Sequence, residues 1–335
     1  MARPSDDLAT AWSSLASADE STTGWRSIAV SRPGAITLHA GRRHPGGEEA
    51  LLARFSAATV PAGQKLPDGH GFHVQRADLS DAGTVWLALT RSAAGSVELF
   101  AAMASDVAEA LDACAEAEEA LALRVMLGRV RAWQEFMRKG AQALSAESEI
   151  GLIGELAALV AMIQSGLSPV VATESWVGPL DGLRDFEIGV GGMEVKTTVA
   201  AHGFRARIGS LEQLDDTARQ PLFLAGIRLR EATDGRSLPD AVAVAREAVK
   251  GDPEARRLMD ERLLAAGYLD AHADTYSRRF ATQGTRILHV CEGFPRLTPW
   301  NVPAGVTGAS YEIDFENAPG ASLGFDEALR KLGAL

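Results

Sequence analysis

The spacing of apolar residues divides this 335-residue chain into a β-like first part, a helical middle part and a mixed last part. Before residue 105, short apolar runs alternate with Gly, Pro and Asp turns, which predicts strands. These runs lie at 25–30, 35–39, 72–74, 85–89 and 96–100. Over 105–139 the alanine- and leucine-rich pattern predicts helix, with a break or bend near Gly128. We therefore expect a β-rich N-terminal domain over 1–104 and a helical connector over 105–144.

The last part, residues 145–335, mixes helical and strand-like segments, which predicts an α/β fold. Leucine and isoleucine recur at helical spacing after Ser148 and stop at Gly166, as expected for an amphipathic helix. Asp252 followed by Pro253 predicts the start of another helix, which ends at Gly267. Further strands are predicted at 222–229, 286–291 and 311–315.

Two strand-like segments, 185–188 and 193–199, flank a glycine-rich stretch and predict a β-hairpin with a four-residue turn. This register pairs Ile188 with Met193. Because side chains alternate along a strand, four ionisable residues then share one face of the sheet. These residues are Asp185, Glu187, Glu194 and Lys196. A register slip of one residue would scatter them over both faces.

Glu155 lies among the leucines on the inward face of the predicted helix, where an unpaired carboxylate is unfavourable. A metal, a bound water or a lysine would offset this cost; an arginine of the core is the alternative partner. Hydrolysis of a phosphodiester calls for carboxylates that hold a hard divalent cation, and for a positive charge near the attacking water. Glu155, Asp185, Glu194 and Lys196 are the candidates for these roles.

At these residues the chain resembles the PD-(D/E)XK nuclease superfamily, in which a helix glutamate precedes an Asp and then an (Asp/Glu)-x-Lys motif on a hairpin. The resemblance implies a restriction-endonuclease-like core, with a mixed central sheet flanked by helices. It implies that Asp185 and Glu194 are metal ligands, that Lys196 is the catalytic lysine and that Glu155 completes the metal shell. Arg184 stands where the superfamily pattern has proline.

Further segments are similar to a bacterial group within that superfamily, the "putative PD-(D/E)XK family members". They are 151–156, 176–179, 194–198, 210–214, 267–268, 294–296 and 311–314. The resemblance implies a Mg²⁺-dependent endonuclease, with Mn²⁺ as a substitute, that hydrolyses DNA in a bacterial restriction or phage-defence system. An ATPase or a methylase would be its partner protein, and homodimer formation stays open. Arg205, Arg207 and Gln213 are the candidate contacts to DNA.

Two other functions remain open at this stage. The first is a non-catalytic module that binds DNA or protein and retains the nuclease fold. The second is a metal hydrolase that acts on a small phosphoester. The net charge of −11 argues against nonspecific binding to nucleic acid, because such binding depends on Lys and Arg. DNA would therefore have to bind to a local cluster of basic residues.

The remaining features of the composition indicate an ordinary cytoplasmic protein. No apolar run reaches membrane-spanning length, and the N-terminus lacks the apolar segment of a signal peptide. Cys114 and Cys291 are predicted to be small core residues. His70 and His73 could grip a metal but are predicted to be solvent-exposed or locally hydrogen-bonded. Three tryptophans could stack on nucleobases but are predicted to be packing residues: Trp133, Trp176 and Trp300.

Overall fold

The computed structural model describes residues 4–16, 23–30, 34–69, 71–79, 83–138 and 142–335. The chain forms two compact units, Met1–Ala141 and Gln142–Leu335. This division differs from the predicted one, because the helices before residue 139 belong to the first unit and do not form a separate connector. No helix in the described ranges is both long and apolar enough to span a bilayer.

The helices and strands are numbered in chain order. The helices are α1 (Pro4–Ser14), α2 (Val97–Asp112), α3 (Glu119–Arg138), α4 (Ala146–Gln164), α5 (Pro169–Ser175), α6 (Leu238–Ala248), α7 (Pro253–Ala265) and α8 (Phe325–Lys331). The strands are β1 (Gly24–Ala29), β2 (Leu38–His44), β3 (Glu48–Ser56), β4 (Asp68–Gly69), β5 (Phe72–Ala77), β6 (Thr84–Arg91), β7 (Phe186–Ile188), β8 (Gly191–Thr198), β9 (Arg205–Ile208), β10 (Leu222–Arg236), β11 (Phe280–Val290) and β12 (Tyr311–Asp314).

The first unit is an antiparallel sheet, in the order β1-β2-β3-β6-β5-β4, with helices packed against it. Leu51 and Phe55 of β3 are buried in its core. A polar contact joins the two long helices: Asp106 of α2 accepts hydrogen bonds from Arg129 and from the indole Nε1 of Trp133, the latter at 2.8 Å. Trp133 is fully buried, so this hydrogen bond satisfies an indole N–H that has no access to water.

Three expectations for the first unit are corrected. The segment 96–100 is the start of α2, where the Ser96 hydroxyl accepts a hydrogen bond from the backbone N–H of Leu99. The helical break lies between α2 and α3, and Gly128 is inside α3. An interior glycine costs a helix only about 1 kcal/mol, which the packing of α3 outweighs. Strand β3 was not predicted, because its Glu and Ala residues are weak strand formers.

The second unit contains a mixed sheet in the order β11-β10-β8-β7. Strand β8 runs parallel to β10, and the other neighbours are antiparallel. Helix α4 packs against β8 and against α5, α6 and α8. A second apolar cluster involves Phe204, Ile208 and Phe315 together with the opposite face of β10. This mixed α/β architecture is compatible with the PD-(D/E)XK-like fold that the resemblance implies.

The helix signals in the second unit are accurate to within a few residues. Asp252 accepts hydrogen bonds at 3.0 Å from the backbone N–H groups of Glu254 and Ala255, as predicted for the start of α7. Gly267, with φ of 93°, follows the end of that helix. Helix α4 begins earlier than predicted, because its N-cap is Ser145 and not Ser148.

The hairpin of β7 and β8 exists, but its predicted register is wrong. Phe186 pairs with Met193 and Ile188 with Gly191, so the loop contains only Gly189 and Val190. Each partner is thereby shifted by two positions from the predicted register. An even shift keeps side chains on their predicted faces, because the period of a strand is two residues.

Several single-residue expectations have different outcomes. Cys114 is buried, whereas Cys291 is exposed, contrary to its predicted place in the core. Trp133 and Trp176 are buried as predicted. Trp300 is instead 76% exposed and does not serve as a packing residue. His73 lies on β5, and His70 lies outside the described residues.

The contact between α2 and α3 predicts a cost for replacing Asp106. Asp106→Ala should lower the free energy of unfolding by about 1.5–3 kcal/mol, because the Arg129 guanidinium and the buried Trp133 N–H lose their acceptor. Glu109→Ala, at an exposed position of the same helix, is the matched control and should change stability by less than about 0.5 kcal/mol. Denaturant titration of both variants measures the difference, and equal stabilities would contradict the assigned role.

Candidate functional site

The predicted ionisable residues lie at one edge of the mixed sheet, where β7 is the last strand and only three residues long. Asp185 immediately precedes β7, and Glu194 and Lys196 lie on β8. Glu155 lies on α4, which packs against β8. A short edge strand leaves its end uncovered, so groups from the helix and from both strands can converge there.

Glu194 is the most enclosed member of this group, with 1% of its surface exposed. Its Oε1 accepts hydrogen bonds from Nζ of Lys196 at 2.6 Å and from Nε2 of Gln213 at 2.5 Å. The Gln213 side-chain oxygen accepts a hydrogen bond from the backbone N–H of Gly209 at 2.8 Å, which fixes the amide. The second oxygen, Oε2, is buried without a hydrogen-bond partner among the described residues. Such an atom is costly unless it binds a cation or a water.

Asp185 is held by backbone groups on both sides. Its Oδ2 accepts a hydrogen bond from the backbone N–H of Val195 at 2.7 Å. Its carbonyl oxygen accepts from the N–H groups of Val177 and Gly178 at 2.9 and 3.0 Å. A Cβ at position 178 would lie 3.0 Å from Asp185 Oδ1, tighter than most contacts. The segment 176–179 therefore restricts the position of the Asp185 carboxylate.

Glu155 is fixed by Trp176, whose indole Nε1 donates a hydrogen bond to Glu155 Oε2 at 2.7 Å. Trp176 is completely buried and stacks on Phe186, the first residue of β7. We predicted a packing role for Trp176, and its hydrogen bond to Glu155 was missed. The sequence contained one signal for it, since the segment 176–179 is among those that carry the family resemblance.

Helix α4 reaches the sheet edge because Gly154 has no side chain. A Cβ at that position would overlap Oγ1 of Thr197 on β8. The Thr197 hydroxyl is buried and makes no hydrogen bond within the described part of the chain. Glu155 follows Gly154 directly, so this close contact sets the distance of the helix carboxylate from β8.

Burial makes the three carboxylates reluctant to ionise, and repulsion adds to this effect at Glu155 and Glu194. Burial, followed by the charge of Asp185, raises the pKa of Glu155 to about 8. The same two causes raise the pKa of Glu194 to about 8, and burial also raises the pKa of Asp185. Burial lowers the pKa of Lys196, but Glu194 and the other acids more than compensate and raise it overall. A positive charge bound beside these carboxyl groups would therefore favour their ionised forms.

A second positive group lies behind Glu194. Arg184 is buried, donates a hydrogen bond to the backbone oxygen of Asp215, and contributes its charge to the field at Glu194. Burial lowers the pKa of Arg184, against the opposing effect of the acids. Glu187 instead forms an ion pair with Arg219 at 3.3 Å. The additional acid of the hairpin is therefore already neutralised by its own partner.

The donor set is consistent with Mg²⁺ but does not form a complete cage. Within the part of the chain that the structure describes, no group of three or more His, Cys, Asp or Glu residues is arranged to hold a metal ion. Mg²⁺ does not require such a group, because it typically binds one or two carboxylates and keeps several waters. The unpartnered Oε2 of Glu194 and the neighbouring carboxylate of Asp185 meet that requirement.

The candidate DNA contacts lie in two different environments. Arg205 and Arg207 project from β9 and are exposed. They pair across the strands with Asp314 and Glu312 of β12, so acids balance much of their charge. Gln213 donates a hydrogen bond to Glu194 and is part of the carboxylate cluster, and its contact with DNA stays a prediction.

The geometry of this sheet edge agrees with the family assignment. The chain matches, over residues 8–316, the family described as "Putative PD-(D/E)XK family member, (DUF4420)". It therefore belongs to that family, and its superfamily consists generally of nucleases, which typically use divalent metals. The match also extends through most of the first unit, beyond the segments from which the resemblance was inferred. No curated protein and no solved structure matches the chain.

The contact between α4 and β8 predicts opposite effects for two glycines of one helix. Gly154→Ala should lower stability by about 1–3 kcal/mol, because the new methyl group collides with Thr197. Gly151→Ala should raise it by roughly 0.5–1 kcal/mol, since a Cβ there meets no atom within 4 Å and alanine favours helix. Thermal or denaturant unfolding distinguishes the two. Stabilisation by both substitutions would show that α4 is not held against Thr197.

Proposed function

We propose that the protein is a Mg²⁺-dependent endonuclease that hydrolyses DNA phosphodiester bonds. The observation that carries this proposal is the environment of Glu194: a buried carboxylate with one unpartnered oxygen, beside Asp185 and in contact with Lys196. A phosphodiester and a carboxylate cluster repel each other, so they can meet only across a cation. Family membership supports the same chemistry.

Each residue has a separate role in this proposal. Asp185 and Glu194 would hold Mg²⁺, or Mn²⁺ in its place, and Glu155 would complete the metal shell directly or through water. The bound cation would supply charge neutralisation of the phosphate and of the oxygen that attacks it. Gln213 orients Glu194 through its hydrogen bond, and Trp176 orients Glu155.

Lys196 supplies a fixed positive charge beside the reacting groups. Its neighbours raise its pKa, so it stays protonated at neutral pH. An ammonium held in a pocket that is shielded from water stabilises the negative charge that develops on phosphate oxygens. Lys196 donates a hydrogen bond to Glu194, which holds the ammonium group beside the proposed metal ligands.

The family resemblance supports a proposal about the biological setting. In this proposal the enzyme acts within a restriction or phage-defence system with an ATPase or a methylase as its partner, and the cytoplasm is the location expected from the sequence. Arg205 and Arg207 would contact DNA phosphates from β9, although Asp314 and Glu312 reduce their net charge. The alternative is a non-catalytic module that binds DNA or protein and retains the nuclease fold.

Substitution of the proposed ligands tests the activity. Asp185→Asn and Glu194→Gln should each reduce Mg²⁺-dependent cleavage of plasmid or single-stranded DNA by roughly 100-fold or more, because each removes a metal-binding charge. Their stability without metal should hold or rise, since removing one carboxylate relieves repulsion. Glu187→Gln is the matched control: it removes an acid of the same hairpin that is paired with Arg219, and it should retain activity.

The assay compares Mg²⁺, Mn²⁺ and EDTA for the wild-type protein and the three variants. Cleavage that survives in EDTA, or wild-type rates in either ligand variant, would rule out the assigned metal site. Absence of cleavage by the wild-type protein on every DNA substrate would favour the binding module.

Lys196 is tested separately from the ligands. Lys196→Ala should retain binding of the divalent cation in calorimetry but lose about 10²–10³-fold in cleavage rate, because its charge acts mainly in the transition state. Lys196→Arg should also be impaired, since a planar guanidinium does not reproduce a compact ammonium. Loss of cation binding in Lys196→Ala would instead assign this lysine a structural role.

A further inference from the structure

A cavity of about 310 Å³ opens in the second unit, apart from the carboxylate cluster. One wall is the segment 215–217, and the other is the loop after β11, which includes Phe294, Arg296 and Trp300. Its size is at the lower end of the range for ligand pockets, which suits one ring system better than an extended ligand.

Trp300 lies at this cavity and is the most exposed large apolar residue of the described chain, at 76%. Its loop is fixed by hydrogen bonds. The backbone N–H of Thr298 donates to Asn301 Oδ1 at 2.7 Å, and Asn301 Nδ2 donates to the Arg296 carbonyl oxygen at 2.9 Å. The Tyr311 hydroxyl accepts a hydrogen bond from the N–H of Leu297 at 3.0 Å. A large aromatic ring held in water on a fixed loop offers a stacking surface at little entropic cost.

The charges around the cavity select the part of a nucleic acid that can enter it. Asp215, Asp216 and Glu292 line it with Arg296 as the basic residue among its lining groups. Arg296 is already paired with Asp216 at 2.9 Å and donates to the Leu214 carbonyl oxygen at 2.8 Å. The excess of carboxylates repels phosphate. Carboxylates do, however, accept hydrogen bonds from the amino group of a nucleobase.

The cavity is connected to the carboxylate cluster by a short segment of chain. Gln213 contacts Glu194, Leu214 is buried in the core, and Asp215 begins the cavity wall. Arg184 holds the carbonyl oxygen of Asp215 from the side of the cluster. The wall of the cavity is therefore fixed relative to the site where a phosphodiester would be cut.

We propose that Trp300 and this cavity form a nucleobase subsite, in which the indole stacks on an unpaired base that carries an amino group. Such a base is adenine, cytosine or guanine. The inference rests on the proposed function, because that function makes a nucleic acid the ligand of the protein. It adds a base contact near the cleavage point and a preference for strands whose bases are not paired.

Binding of single-stranded oligonucleotides in Ca²⁺, which replaces Mg²⁺ without supporting cleavage, tests this subsite. Three strands of equal length and charge are compared: one of adenine and cytosine, one of thymine alone, and one that is abasic. Fluorescence anisotropy gives the affinity for each strand. The signal of Trp300 is obtained by subtracting the tryptophan emission of Trp300→Phe from that of the wild-type protein. We expect the affinity to be highest for the adenine and cytosine strand, lower for the thymine strand and lowest for the abasic strand. Only the two strands that carry bases should quench the Trp300 emission.

Trp300→Ala should weaken binding of the adenine and cytosine strand roughly 5–150-fold and leave the abasic strand unchanged, because it removes one stacking partner. Trp300→Phe should retain most of the affinity. Val171→Ala removes another exposed apolar side chain, on α5, and is the control that should bind like the wild-type protein.

Equal losses for the abasic strand, no loss in Trp300→Ala, or no binding of any strand by the wild-type protein would each overturn the subsite. Cleavage of plasmid and single-stranded DNA in Mg²⁺ is measured in parallel. If the wild-type protein cleaves DNA and Trp300→Ala binds as tightly as the wild-type protein, the subsite is overturned and the proposed nuclease function is not. Base-dependent quenching without cleavage under any condition would support the subsite and overturn the proposed enzyme.

Discussion

The crowding of three carboxylates at one edge of the mixed sheet is the constraint on which the candidate site depends. Burial raises the pKa values of all three, and the charge of Asp185 raises those of Glu155 and Glu194 further, so the fold must stabilise the carboxylates with donors. Each receives a hydrogen bond from a different residue: Glu194 from Lys196 of β8, Glu155 from the Trp176 indole, and Asp185 from the backbone N–H of Val195 on β8. A divalent cation would complete this compensation, and its loss would leave the repulsion largely unbalanced.

Close backbone contacts make the convergence of these groups geometrically feasible. Gly154 allows α4 to meet Thr197, and Gly178 leaves room for the carboxylate of Asp185. A side chain at position 154 would collide with Thr197, and one at position 178 would crowd the carboxylate of Asp185. The motif residues around the charged positions are therefore as necessary as the charged residues, although they carry no chemistry themselves.

The distribution of charge separates two modes of contact with a nucleic acid. The protein is acidic, with a net charge of −11, and the exposed arginines of β9 lie opposite acids of β12. Electrostatic attraction to phosphates is therefore modest, and a bound cation would provide a large share of it. Contacts to bases depend on stacking and hydrogen bonds, which an acidic surface does not oppose. The exposed indole of Trp300 provides such a contact.

The sequence alone predicted several local features of this protein. The strand period placed Glu194 and Lys196 on one face, glycine marked the hairpin, and Asp252 marked the start of α7. These properties depend on neighbours along the chain, which a sequence displays directly. The register of the hairpin, the hydrogen bond from Trp176 to Glu155 and the position of Gln213 beside Glu194 depended on tertiary structure. So did the exposure of Trp300, since the same residue type is buried at Trp133 and Trp176. Each of these was decided by packing between segments distant in sequence, because burial and distance are properties of the assembled core and not of the local pattern.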